Sequence, residues 1–188
     1  KVEYHKWSTW QETTAQPEIW TGWGQSFDPA EFITWIAELN IDEIWFCGAG
    51  TSAYIGDIIA AGMEGAAGPR LRSVPTTDLV ARPQAFLAGK SPLIVNFGRS
   101  GNSTETVGTL DVLDALAPKA PRLNITCNDS SALATRGSQG PSRTIVLPAA
   151  THDAGFAMTS SFSTMLFTAL SIVDSSDDFA DRLAVLGD

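Results

Sequence analysis

Two segments combine glycines with hydroxyl side chains: Phe46-Cys47-Gly48-Ala49-Gly50-Thr51-Ser52-Ala53 and Asn96-Phe97-Gly98-Arg99-Ser100-Gly101-Asn102-Ser103-Thr104-Glu105. Each follows a short apolar run and leads into a stretch with helical spacing. Glycine permits tight backbone geometry, and a helix N-terminus presents unpaired amides and a dipole that favours an anion. Serine and threonine add donors without adding charge. The chemistry on offer is the binding of a phosphate group. The same residue types also cap ordinary helices, so either segment alone has a purely structural explanation. The two reinforce each other if they face one crevice.

The first segment also fits the dinucleotide fingerprint G-x-G-x-x-A over Gly48 to Ala53. That fingerprint expects an acidic residue about twenty positions on, at the end of the next strand. Ser73-Val74-Pro75-Thr76-Thr77 stands there, and Asp78 comes late. A dinucleotide also leaves the serine-bearing second segment unexplained. Neither glycine turn is followed by Gly-Lys-Ser/Thr, so there is no Walker A motif.

Regular elements must position these turns. Trp7 to Gln25 is rich in tryptophan and interrupted at Pro17, which predicts two short helices joined by a kink. Asp28-Pro29 caps a helix whose apolar face is Phe32, Ile33, Trp35, Ile36 and Leu39. The tryptophans at this spacing suit packing or a subunit contact. Strands are predicted at Ile44 to Cys47, Leu71 to Val74, Leu93 to Phe97, Leu123 to Cys127 and Thr144 to Leu147. Helices are predicted over Ser52 to Glu64, with Ile55, Ile58, Ile59 and Met63 inward, and over Ser103 to Leu116. In the latter, Val107, Leu110, Val112, Leu113 and Leu116 form the apolar side. A short helix around Ser131 to Thr135 and a last one from Thr159 to Val173 complete the pattern. Continuously apolar strands alternating with helices mean a parallel sheet covered on both faces. The fold class is α/β, a three-layer, doubly wound, five-stranded parallel sheet. With the order 2-1-3-4-5, the first and third strands are neighbours and their turns share the crevice at the switch point.

Composition limits the functions further. The 188 residues carry 12 Lys and Arg against 21 Asp and Glu, a net charge of −9, which excludes a general nucleic-acid binder. A phosphate must therefore be held by local dipoles and hydroxyls. No apolar run is long enough for a membrane span; Met165 to Val173 is the best candidate and is about half the length required. Cys47 and Cys127 make no disulfide framework, which points to a reducing, cytoplasmic setting. With only those cysteines and His5 and His152, no metal site is expected, and no cofactor.

Taken together, these segments resemble a sugar isomerase (SIS) domain, and more narrowly the tagatose-6-phosphate ketose/aldose isomerase family, which includes galactosamine-6-phosphate deaminase/isomerases. The resemblance rests on Trp10 to Trp20 (WQETTAQPEIW), Phe46 to Asp57 (FCGAGTSAYIGD), Val74 to Val80 (VPTTDLV) and Phe97 to Val107 (FGRSGNSTETV). Ile125 to Ala134 (ITCNDSSALA) and Phe156 to Met165 (FAMTSSFSTM) complete it. It implies that Ser100 and Ser103 hold the phosphate, with the amides of Arg99, Gly101 and Asn102 and help from Ser52. Gly50 and Thr51 would shape the entrance, and Phe156 to Ser161, including Ser160, would line the sugar side. It also implies division into a helical segment (1–40), a first SIS domain (41–175), and the start of a helix or linker to a second SIS domain (176–188). That second domain, in cis or in a second subunit of a homodimer, would bring the proton-transferring glutamate and the ring-opening histidine. The local acid–base candidates are Glu105, His152 and Asp153, and none is selected. Glu105 stands in a helix's first turn, where an acid simply stabilises. A sugar-phosphate sensor is the alternative function, although no helix-turn-helix or basic face supports it.

Overall fold

The computed structural model describes residues 3–63, 65 and 67–174. The expected helix or linker at 176–188 lies outside the described residues. The helices are α1 (Ser8–Ser26), α2 (Ala30–Glu38), α3 (Thr51–Gly62), α4 (Thr76–Ala81), α5 (Pro83–Leu87), α6 (Thr104–Leu116), α7 (Ala132–Thr135) and α8 (Ser160–Val173). The strands are β1 (Glu43–Cys47), β2 (Arg70–Ser73), β3 (Leu93–Gly98), β4 (Arg122–Thr126) and β5 (Ser142–Val146). They form one parallel sheet in the order β2-β1-β3-β4-β5, the order expected from sequence.

The alternation of side chains along each strand builds two cores. Ile44, Phe46, Val95, Phe97, Leu123 and Ile125 face α2, α3 and α8, where Phe32, Trp35, Ile55, Ile59, Met165 and Ala169 meet them. Trp45, Cys47 and Ile94 face the other way, against Val74, Leu79, Leu87 and Leu113. Burial of this apolar surface is the main force holding the layers together.

Four local expectations are corrected. Pro17 does not divide the first helix: Ser8–Ser26 is continuous. Proline removes the amide that would bond the Thr13 carbonyl, and the Gln16 side chain donates to that oxygen instead at 3.3 Å. The tryptophans then tie α1 to α8, Trp20 donating to Ser163 Oγ at 3.0 Å and Trp23 to Thr168 Oγ1 at 2.8 Å. Ile58 and Leu116, expected inward, are exposed because the sheet covers only part of each helix's circumference. The third helix ends at Gly62, and Glu64, its expected end, lies outside the described residues. Helices α4 and α5 were missed: each is only a turn or two long, too short for a periodic signal.

Both cysteines are free and buried, and they lie on opposite faces of the sheet. Burial pushes the Cys47 thiol up to about 12 and the Cys127 thiol up to about 11. Thiol titration of the denatured protein without reductant should therefore find both. Finding neither would demonstrate a disulfide that this geometry forbids.

Candidate functional site

Strands β1 and β3 are hydrogen-bonded neighbours, with Cys47 opposite Asn96. The turns that leave them therefore start from adjacent strand ends, at the point where the strand order reverses. Gly50 has a positive φ of 54° and turns the chain into α3. Thr51 is exposed at that helix start, whereas Ser52 is buried and donates to Met158 Sδ at 3.6 Å. In the second turn Ser100 is exposed, and its hydroxyl accepts a long bond of 3.4 Å from the Asn102 amide. Ser103 is the N-cap of α6: its Oγ accepts from the Thr106 amide at 3.2 Å and lies 2.9 Å from Thr106 Oγ1.

A third strand end fastens this second turn. Asn128 Nδ2 donates to the Ser100 carbonyl at 3.1 Å, and the Leu133 amide to the Gly101 carbonyl at 3.1 Å. The Asn102 carboxamide oxygen accepts from the Ala132 amide at 2.7 Å, so this side chain caps α7. Gly101 has φ 64°, and a Cβ there would stand 2.6 Å from Ser131 Cβ. These supports at Asn128 and Ser131 were missed in the sequence. Their signal was another asparagine and serine in a strand-to-helix turn, one strand further along.

The segment before α8 meets both turns. Arg99 is half-buried, and its guanidinium donates to the Gly155 carbonyl at 3.0 Å. Phe156 is fully exposed. Ser160 is buried; its hydroxyl donates to the Glu12 carbonyl on α1 at 3.0 Å and its amide to Asp153 at 3.0 Å. The Ser160 hydroxyl is thus engaged with α1 rather than with an open sugar-facing surface.

Asp153 proves to be a cap. Its carboxylate accepts five hydrogen bonds, from the amides of Thr159, Ser160 and Ser161 and the hydroxyls of Thr159 and Ser161. Burial pushes its carboxyl up, but these bonds outweigh burial and hold it below its ordinary value. An acid stabilised so firmly as the anion is poorly suited to carrying a proton. Glu105 in the first turn of α6 and His152 before Asp153 are both exposed, and neither side chain has a hydrogen-bond partner among the described residues. No group of three or more His, Cys, Asp or Glu among the described residues could hold a metal ion. No helix there is long and apolar enough to cross a membrane.

The sheet order defines a doubly wound α/β domain with two glycine- and hydroxyl-bearing turns side by side at its switch point. The chain belongs to the SIS domain family, whose profile matches residues 39–174. It is 42% identical over 154 residues to the D-galactosamine-6-phosphate deaminase AgaS of Escherichia coli, an alignment covering 75% of this chain and 40% of that protein. The Shewanella sp. (strain ANA-3) protein of the same name is 35% identical over 180 residues, covering 91% of this chain and 47% of that one. Among solved structures, tagatose-6-phosphate ketose/aldose isomerase from Escherichia coli superposes with a TM-score of 0.84 at 35% identity, over 99% of this chain and 54% of that one. Glucosamine-6-phosphate deaminase from Thermotoga maritima shares the fold, with a TM-score of 0.71 at 24% identity over 94% of this chain and 52% of that one. The chain spans less than half the length of these curated relatives.

Proposed function

We propose that this domain holds the phosphate of a hexose or amino-sugar 6-phosphate, of the galactosamine 6-phosphate or tagatose 6-phosphate type, within an aldose–ketose isomerase or deaminase. The observation that carries this reading is the pair of hydroxyl-bearing turns on the neighbouring ends of β1 and β3. In it, Ser100 and Ser103 donate to the phosphate with the amides of Arg99, Gly101 and Asn102, and Ser52 assists. Ser103 can do so while capping α6, because with Thr106 Oγ1 as donor its own proton is free. Gly50 and Thr51 bound the entrance, and the turn bearing Phe156 bounds the sugar side. The names of the relatives supply the sugar class.

The reaction itself requires a base within roughly 3 Å of the proton it removes. Asp153 is committed to capping, and among the described residues Glu105 and His152 have no partner to orient them. We assign the missing groups to a second SIS-type domain, in cis or in a second subunit of a homodimer in a reducing cytoplasm. Alone, this chain is expected to bind but not to turn over.

Calorimetry tests the binding. Ser100→Ala and Ser103→Ala should each weaken galactosamine 6-phosphate binding by about 1 to 3 kcal/mol, the cost of losing a hydrogen bond to a charged group. Ser103→Ala should in addition lower stability by about 1 kcal/mol through the lost cap, which Ser100→Ala should not. Equal affinity for galactosamine with and without its phosphate would remove this reading.

A further inference from the structure

The turn before α8 is gripped by charged side chains from two distant elements. Glu12, on α1, accepts with one carboxylate oxygen from the Ala154 amide at 2.7 Å and the Gly155 amide at 2.8 Å. Arg99, in the cradle turn itself, donates to the carbonyl of the same Gly155 at 3.0 Å. A carboxylate thus sits at the amide end of this residue and a guanidinium at its carbonyl end, the arrangement that makes both bonds charge-assisted. The second Glu12 oxygen is buried and has no hydrogen-bond partner among the described residues. A Cβ on Gly155 would stand 2.7 Å from that oxygen, so any larger residue here would have to push the Glu12 carboxylate aside.

We infer that Glu12 and Arg99 are positioning residues that clamp Gly155 from its two ends and so fix the distance between the phosphate cradle and the turn that bears Phe156. The inference rests on the sugar-phosphate reading above. Neither side chain needs to touch the ligand: Glu12 acts through the 154 and 155 amides, and Arg99 ties the cradle to the same residue. Without the clamp, the cradle stays on its own supports, Asn128 and the α7 turn. The turn before α8 keeps its Asp153 cap, the Ser52–Met158 contact and the bond from Ser160 to the Glu12 carbonyl, none of which holds residues 154 and 155. A ligand that spans cradle and turn then loses its fit, whereas one that fills the cradle alone does not.

Calorimetry with two probes, galactosamine 6-phosphate and inorganic phosphate, separates these cases. Glu12→Ala should weaken the sugar phosphate about tenfold and leave inorganic phosphate within about twofold, since a misplaced contact costs only the ligand that uses it. Glu12→Gln, which keeps an acceptor oxygen, should restore most of the loss. In hydrogen exchange, the 154 and 155 amides should exchange faster in both Glu12→Ala and Arg99→Met than in the wild type. Should Glu12→Ala fail to fold, Gly155→Ala supplies the same comparison from the other side of the contact. Unchanged sugar-phosphate affinity in these variants, or equal losses for both probes, overturns the clamp. So does Arg99→Met that loses inorganic phosphate while both amides stay protected, which would make Arg99 a direct phosphate ligand. A wild type that binds neither probe overturns the sugar-phosphate reading and the clamp with it; a binding wild type with an intact Glu12→Ala overturns the clamp alone.

Discussion

Replacing Asp153 with alanine is expected to lower the stability of the domain by about 3 kcal/mol or more, measured as a shift in the urea unfolding midpoint. The side chain is 5% exposed, and every donor it serves lies at the start of α8. Removing it strands three amides and two hydroxyls, those of Ser160 and Ser161 where little water can reach them. The effect should extend beyond the helix end, because α8 supplies Met165, Ala169 and Ile172 to the core. Acid should reproduce part of it in the wild type. The folded carboxyl lies below its ordinary value, so its contribution is complete above about pH 4, the unfolded value of an aspartate. That contribution then disappears as pH falls through the lower folded value. Asp153→Asn should retain one acceptor but lose this pH dependence. Equal unfolding midpoints for wild type and Asp153→Ala would show that α8 is held by packing alone.

Asp153 also marks the border between what the sequence discloses and what it does not. The sheet and its order were legible because short apolar runs alternate with helical periodicity, and that alternation allows few topologies. The place of Ser100 and Ser103 in a strand-to-helix turn was legible for a local reason: glycine and hydroxyl residues gather where a strand end leads into a helix cap. Pro17 misled because a local rule assigns it a break, whereas a glutamine one residue earlier bonds the freed carbonyl. Asp153, next to a histidine, read as a candidate acid because its five donors are six to eight residues away and invisible to spacing rules. Glu12 lay within a segment that carries the family resemblance, but its role gave no signal: its partners lie 142 and 143 residues further along the chain. Local patterning was readable, and side-chain contacts between distant segments were not.

The second large effect should come from Gly101→Ala, a change of one methyl group in the cradle. At φ 64° an L-residue is strained by about 1 kcal/mol before any contact is considered. The added Cβ would then press on Ser131 Oγ and stand 2.6 Å from Ser131 Cβ and 3.0 Å from Thr126 Oγ1. These are not flexible ends that can swing aside. Ser131 caps α7 through the Ala134 amide at 3.2 Å and donates to the Asn128 carbonyl at 2.7 Å, while Thr126 ends β4. The cradle turn must move instead, stretching the bonds from Asn128 to Ser100 and from Leu133 to Gly101 that hold its shape. We expect the domain to fold with a stability loss of about 2 to 3 kcal/mol. Its affinity for galactosamine 6-phosphate and for inorganic phosphate should fall by about a hundredfold or more, equivalent to two displaced hydrogen bonds to a charged group. Adding Ser131→Gly relieves the Ser131 contact but leaves the backbone strain and the Thr126 contact, so it should recover part of the affinity and not all of it. A Gly101→Ala protein that binds phosphate as the wild type does would mean the anion is held elsewhere, because no ligand could use the backbone of this turn and be indifferent to its displacement.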